Sequence, residues 1–205
     1  LGKLIELSQQ KLGFMWKIAN ASVLLVGLGL IVYGCRVLGD KQVSQNIDVV
    51  QDSVAEAPPI DWELVKQPYD GDTITVKRNG EKLKVRFACI DAPELKQPMG
   101  KQSRDYLRGL ISNSGGKVGL NIIKSDRYGR SVAEVWVEND GALELAQSKM
   151  ILAGMAYPYE RYKSDCPSWD AVEASQEYAK SNKTGLWNGD YQKPWEWRKQ
   201  LKDNK

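Results

Sequence analysis

The sequence predicts a mainly β domain, a five-stranded barrel with three helices, preceded by one hydrophobic helix near the N-terminus. Five short stretches have the composition of β-strands, and one amphipathic helical stretch separates the third from the fourth. In addition, the 18 residues from 18 to 35 carry no charge. Five strands with a helix between the third and fourth is the element order of an OB-fold barrel.

The uncharged stretch is at the short end of what spans a bilayer, and its lack of a polar stripe disfavours a buried core helix. We interpret 18–38 as a transmembrane anchor or signal segment that follows an N-terminal segment, 1–17. A retained anchor, a cleaved signal peptide and a lipoprotein leader lipidated at Cys35 are the alternatives. Basic residues are slightly more numerous before this stretch than just after it, which favours export of the rest of the chain.

Residues 39–60 have no sustained periodicity and end in Pro58 and Pro59, which cannot continue a helix. We interpret this part as a flexible tether. The globular domain is then expected to occupy 61–205.

Within this domain the elements follow from local patterns. Strands are predicted at 62–66, 73–78, 83–90, 117–124 and 132–137. Helices are predicted at 101–111, 143–152 and 171–181. Asn79 and Gly80 are a strong tight-hairpin signal between the second and third strands.

The amino-acid composition limits which catalytic groups and metal ligands the chain can use. The formal net charge of +3 is too small to argue for a polyanionic partner, and the absence of histidine excludes the commonest general base and zinc ligand. Of the three cysteines, Cys35 lies in the apolar stretch, which leaves Cys89 and Cys166 as either two unrelated thiols or one disulfide. Export favours the disulfide.

Three charged clusters lie at predicted strand ends or turns, at 70–73, at Arg86 with 91–94, and at 126–130. Such positions hold side chains on a rigid scaffold while leaving them accessible.

Together, the clusters contain the groups that phosphodiester hydrolysis requires. Asp72 and Asp91 offer the hard oxygen ligands that suit calcium, and Glu94 is the candidate that orients or deprotonates a water. Arg86 and Arg130 can each present a bidentate fork to a phosphate.

These residues resemble the staphylococcal nuclease, or thermonuclease, family. The likeness spans roughly residues 62–187 and rests on three ordered motifs, Asp70-Gly71-Asp72-Thr73, Asp91-Ala92-Pro93-Glu94 after the Arg86 strand, and Asp126-Arg127-Tyr128-Gly129-Arg130. The chain is thus identified as a membrane-anchored or exported bacterial homologue. The resemblance implies a calcium-dependent endonuclease that hydrolyses DNA and RNA with little sequence preference and leaves 3′-phosphate ends.

The resemblance also implies individual roles. It adds the carbonyl of Ala92 to the calcium ligands, although the family's archetype has threonine there, and it gives Asp70 a supporting role through water. Arg127 is placed near the substrate phosphates, and Tyr157 and Tyr159 are placed against the nucleotide. The catalytic positions fall on Arg86, Glu94 and Arg130.

Two questions stay open at this point. Trp195 and Trp197 in the C-terminal tail could cap the barrel or stack on bases. The same fold could also serve as a non-catalytic nucleic-acid-binding or protein-interaction module, but the complete set of charged residues favours an enzyme. We expect a monomeric domain, and the sequence identifies no protein partner.

Overall fold

A computed structural model of the chain describes residues 57–204. The predicted N-terminal segment, the apolar stretch and nearly all of the tether lie outside these residues. Between 57 and 204, none of the helices has the length and apolar character needed to cross a membrane.

The described part of the chain forms eight strands and four α-helices. The strands are β1 (Trp62–Lys66), β2 (Thr73–Arg78), β3 (Glu81–Phe87), β4 (Ile90–Asp91), β5 (Lys117–Ser125), β6 (Ser131–Asn139), β7 (Ala142–Leu145) and β8 (Tyr157–Pro158). The helices are α1 (Gly100–Asn113), α2 (Ala146–Leu152), α3 (Trp169–Ser181) and α4 (Pro194–Asp203), with 3₁₀ helices at Glu160–Asp165 and Gly185–Trp187.

Five of the strands close into a barrel. They pair in the order β3-β2-β1-β5-β6, and β3 then pairs with β6 in parallel, from Val85 opposite Ser131 to Phe87 opposite Ala133. Because α1 connects β3 to β5, the third and fourth barrel strands, the predicted OB-fold barrel is confirmed.

The hairpin between β2 and β3 turns where the sequence predicts it. Asn79 and Gly80 both have positive φ, 49° and 84°, as a two-residue type I′ turn requires. Along β2 and β3 the residues that face the interior alternate with outward-facing ones, and Ile74, Val76 and Val85 are completely buried.

The barrel interior is filled by apolar side chains from the strands and from two helices. Leu107 and Ile111 of α1 and Met150 and Ile151 of α2 have no solvent exposure. Full burial of each such side chain stabilises the fold by about 1.5–3 kcal/mol. This packing fixes the strand ends on which the charged clusters lie.

Two predicted elements differ in detail. The strand predicted at 83–90 is divided, because Cys89 adopts a positive φ of 67° and β4 then leaves the barrel to pair with β8. The predicted helix at 143–152 begins only at Ala146, because the residues before it form β7, which pairs with β6 through the turn at Asp140 and Gly141.

The fourth helix was not predicted. α4 begins with Pro194, which suits the first position of a helix, and the Glu196 carboxylate accepts a hydrogen bond from the Lys193 amide at 3.4 Å. The tail therefore has its own helix-start signals.

A disulfide joins Cys89 to Cys166, with 5.4 Å between their Cα atoms. It links the bend between β3 and β4 to the residue that follows the first 3₁₀ helix. Glu134, buried beside it, accepts hydrogen bonds from the Ser168 amide at 2.8 Å and the Asn121 side chain at 3.1 Å.

Candidate functional site

Barrel closure brings two arginines to one side of the molecule. In the parallel pairing of β3 with β6, Arg86 lies opposite Val132, and Arg130 ends the turn that leads into β6. Both arginines line a groove of about 870 Å³. Among the residues predicted for the site, Glu94, Arg127 and Tyr159 line the same groove.

Asp72 and Asp91 are 2% and 0% exposed and do not line this groove themselves; both are bonded to Arg86, which does line it. The Arg86 guanidinium donates hydrogen bonds to both carboxylates, and the Ala92 amide donates to Asp72 Oδ2 at 2.7 Å. The two aspartates are thus held together by an arginine between them.

Burial raises the pKa of Asp72 to about 7; the charge of Arg86 opposes this rise, whereas the negative charges of Asp70 and Asp91 add to it. Burial also lowers the pKa of Arg86, but Asp72 and Asp91 together outweigh it, so that this pKa is raised. Burial is therefore the main reason that the Asp72 carboxyl holds its proton more tightly than an exposed aspartate does.

The chemistry of these donors fits a hard divalent cation. Asp70 Oδ1 accepts the Asp72 amide at 3.4 Å, so a third carboxylate lies next to the buried pair. Carboxylate oxygens in this number are the ligands that calcium prefers. A bound cation would also offset the burial that is the main cause of the raised pKa of Asp72, and the smaller repulsion from Asp70 and Asp91.

Two glycines allow the carboxylate loops to pack against α1. A Cβ at Gly71 would lie 1.9 Å from Ser103 Oγ, and a Cβ at Gly100 would lie 1.9 Å from the carbonyl oxygen of Glu94. Since the second contact is with backbone, a larger residue at Gly100 would displace the Glu94 loop.

Glu94 is partly exposed and is positioned through its backbone. Its amide donates to Gln97 Oε1 at 3.2 Å, and Gln97 Nε2 donates to the carbonyl of Gln192, near the start of α4. The loop that carries Glu94 is therefore connected to the C-terminal segment.

The turn before β6 aligns Arg130. Asp126 accepts the Arg130 amide at 3.0 Å and the Arg130 Nε at 2.7 Å. Arg127 is exposed and donates to the hydroxyl of Tyr128 at 2.8 Å. The turn thus presents one guanidinium that is held by a carboxylate and a second that is exposed to solvent.

The two tyrosines are placed differently. Tyr157 is 4% exposed, its hydroxyl donates to the Tyr191 carbonyl at 3.1 Å, and burial raises its pKa to about 12. Tyr159 lines the groove, and its ring is stacked on Trp195 with 5.2 Å between centroids. Only Tyr159 is in a position to meet a substrate in the groove.

Arg198 on α4 also belongs to the site, although none of the three sequence motifs contains it. It donates to Asp91 Oδ2 at 2.6 Å, to Asp91 Oδ1 at 3.1 Å and to Glu94 Oε1 at 2.9 Å. Burial lowers its pKa, but the bonds to Asp91 and Glu94 outweigh that effect and raise it. The available signal was the basic face of a helix that begins at Pro194.

Comparisons of the sequence with known proteins identify related nucleases. Residues 84–189 match the family model described as staphylococcal nuclease homologue. An uncharacterized endonuclease of Escherichia coli O157:H7 is 37% identical over 65% of this chain and 82% of that protein. The micrococcal nuclease of Shigella flexneri is 33% identical over 65% of this chain and 78% of its own length.

The matched segment contains Arg86, Asp91, Glu94 and Arg130, and it ends before α4. The family pattern therefore gave no indication of Arg198. The chain belongs to the staphylococcal nuclease family.

Proposed function

We propose that this nuclease, a hydrolase acting on ester bonds, is a calcium-dependent endonuclease that cleaves DNA and RNA with little sequence preference and leaves 3′-phosphate ends. One observation carries the proposal. Arg86, Glu94 and Arg130 come from three separate segments and line one groove, and Arg86 is also bonded to the buried pair of Asp72 and Asp91.

In this proposal, Asp72, Asp91 and the carbonyl of Ala92 hold the calcium ion, and Asp70 supports them through water. When bound, calcium would neutralise negative charge on the phosphoryl oxygens as a Lewis acid. Two buried carboxylates with a third beside them support this assignment, because hard oxygen ligands suit calcium.

Glu94 takes a proton from the attacking water, since no histidine is present to act as the base. The water oxygen bonds to phosphorus as the P–O5′ bond breaks. One product carries a 3′-phosphate, and the leaving 5′-oxygen takes a proton from solvent. Arg86 and Arg130 donate to the phosphoryl oxygens, where negative charge increases in the transition state. The Asp126 carboxylate keeps the Arg130 guanidinium aligned.

Weak sequence preference follows from the kind of contact. A site built from guanidiniums and carboxylates contacts the phosphate backbone, whereas discrimination between sequences needs hydrogen bonds to base edges. Arg127 and Tyr159, both on the groove, are proposed to contact the neighbouring phosphate and the nucleotide. Tyr157, although buried, supports this region through its edge contact with Trp195.

The test is cleavage by the full chain in mild detergent, with single-stranded DNA and RNA as substrates. We expect cleavage with added calcium, none with a chelator, and product ends that lose a phosphate to a phosphatase specific for 3′-phosphates. Absence of calcium-stimulated cleavage would refute the proposal, and binding without any cleavage would favour a non-catalytic module.

We also propose that residues 18–38 attach the domain to a bacterial membrane or direct its export, with the domain outside the cytoplasm. The Cys89–Cys166 disulfide supports this location, because disulfides persist in oxidising compartments. Protease added to intact cells should digest the domain. Protection until the cells are lysed would contradict the proposed orientation.

A further inference from the structure

One face of α4 forms a wall of the groove. Trp195, Arg198, Lys199 and Lys202 line it, at the i, i+3, i+4 and i+7 spacing of a single helical face. Arg198, Lys199 and Lys202 are the three basic residues of this helix, so all of its basic residues line the groove.

The helix is fixed against the site at several points. Trp195 stacks on Tyr159 and meets the ring of Tyr157 edge-on, with 6.1 Å between centroids. Gln97 and Tyr157 both donate hydrogen bonds to carbonyls of the segment just before the helix. The helix is therefore held in place by contacts that do not involve Lys199 or Lys202.

The charge of the groove is distributed unevenly. Eight basic and three acidic side chains line it, a surplus of five, whereas the whole chain has a formal surplus of three. α4 supplies three of the eight basic residues and none of the acidic ones. A concave surface with such a surplus concentrates polyanions.

The acidic side chains of the groove are already engaged. Glu94, Asp126 and Asp165 pair with Arg198, Arg130 and Lys124. Among residues 57–204, no carboxylate lies within 4.0 Å of the Lys199 or Lys202 ammonium group, and both side chains are exposed. These two charges have no partner in the described part of the chain and face the space that a substrate strand would enter.

We propose that Lys199 and Lys202 form a second phosphate-binding subsite, which holds the backbone of a single-stranded nucleic acid next to the scissile phosphate. This inference rests on the proposed function for its ligand class and adds α4 to the groove. The Tyr159–Trp195 pair lines the same groove and offers an aromatic surface for a base of the strand.

The subsite makes a quantitative prediction about salt. Each phosphate neutralised on a single strand contributes about 0.7 to the slope of log affinity against log salt. The variant Lys199→Gln/Lys202→Gln should therefore lower that slope by about 1.4 and weaken binding roughly tenfold at low salt. The variant Lys199→Arg/Lys202→Arg should restore both values.

The measurement is fluorescence anisotropy of a single-stranded DNA of about 12 nucleotides, within the range of OB-fold site sizes. It uses the full chain in detergent with a chelator, so that binding is measured without cleavage and a failure of the calcium proposal does not affect it. Lys82→Gln/Lys117→Gln is the matched control, since both lysines are exposed and neither lines the groove.

An unchanged salt slope in Lys199→Gln/Lys202→Gln would overturn the proposal. An equal loss of affinity in the control variant would also overturn it, because the effect would then come from overall charge and not from a site. The loss of affinity should also be smaller for a dinucleotide, because its one internucleotide phosphate cannot occupy the arginine site and the lysine subsite at the same time. An equal loss of affinity for the two lengths would show that the lysines do not form a separate subsite, and it would contradict the inference.

Discussion

Arg198 and Asp91 are 107 positions apart in the chain, yet the guanidinium donates to both oxygens of the carboxylate, at 2.6 and 3.1 Å. Asp91 also accepts from Arg86, so its oxygens serve two arginines. A divalent cation at Asp91 would lie close to both positive charges.

Calcium should therefore bind more tightly when Arg198 is neutralised. We expect Arg198→Gln to strengthen calcium binding about tenfold, because it removes a like charge next to the ligand oxygens. Isothermal titration of the full chain with calcium measures this directly. Arg161→Gln is the control, since Arg161 lines the groove without pairing with a carboxylate in the described residues. Unchanged or weaker binding in Arg198→Gln would contradict the expectation.

Glu94→Gln should slow cleavage by a factor of about 10² or more, because the amide cannot accept the proton of the attacking water. The substitution keeps the shape of the side chain and one oxygen that can accept from Arg198. Initial rates with saturating calcium provide the measurement. Glu138→Gln, on an exposed part of β6 outside the groove, should leave the rate unchanged. Full activity in Glu94→Gln would assign the base to another residue.

Arg130→Ala should lower the cleavage rate by about 10²–10³, the loss that accompanies removal of one charged transition-state contact. Asp126→Asn tests the alignment of that arginine. It should lower the cleavage rate less than Arg130→Ala does, because one side-chain oxygen remains to accept a hydrogen bond from Arg130. Rates and KM of the two variants, compared side by side, check this order. A larger loss in Asp126→Asn than in Arg130→Ala would contradict the assigned roles.

The pH dependence of stability should differ between the wild type and Asp72→Asn. Burial raises the pKa of Asp72 from 3.8 to about 7, so the folded state binds this proton more tightly than the unfolded state does. The resulting stabilisation is complete below about pH 4 and is lost as the pH rises through about 7. Urea unfolding with a chelator should show this loss in the wild type and not in Asp72→Asn. The same dependence of stability on pH in both proteins would show that Asp72 is not its source.

Removing the disulfide should lower the free energy of unfolding by about 4 kcal/mol in the chain-entropy model, because the cysteines are 77 positions apart. The variant Cys89→Ala/Cys166→Ala should therefore unfold at a lower denaturant concentration than the oxidised wild type. The reduced wild type serves as the control and should resemble the variant. Masses of non-reduced peptides give an independent check, and free thiols at both positions in exported protein would refute the bridge.

Much of this architecture follows from local patterns. The Asn79-Gly80 turn, the helix between the third and fourth barrel strands and the alternation along β2 each require only neighbouring residues. The charged clusters could be located for the same reason, since each lies at a strand end or a turn.

The contacts of Arg198 and the burial of Tyr157 could not be predicted in this way. Both depend on how the segment from Tyr191 to α4 returns across the barrel, and that path is set by the packing of Trp195 and by hydrogen bonds from Gln97 and Tyr157. No local periodicity encodes contacts between residues about a hundred positions apart.

The parallel pairing of β3 with β6 has a consequence for the order of folding. It joins Arg86 to Val132 across the intervening α1 and β5, a non-local contact whose loop entropy must be overcome before the contact stabilises the chain. Arg86 and Arg130 become neighbours only when this pairing forms. A chain in which this pairing has not yet formed therefore lacks the paired arginines of the groove, and the proposed catalytic site is incomplete until the barrel closes.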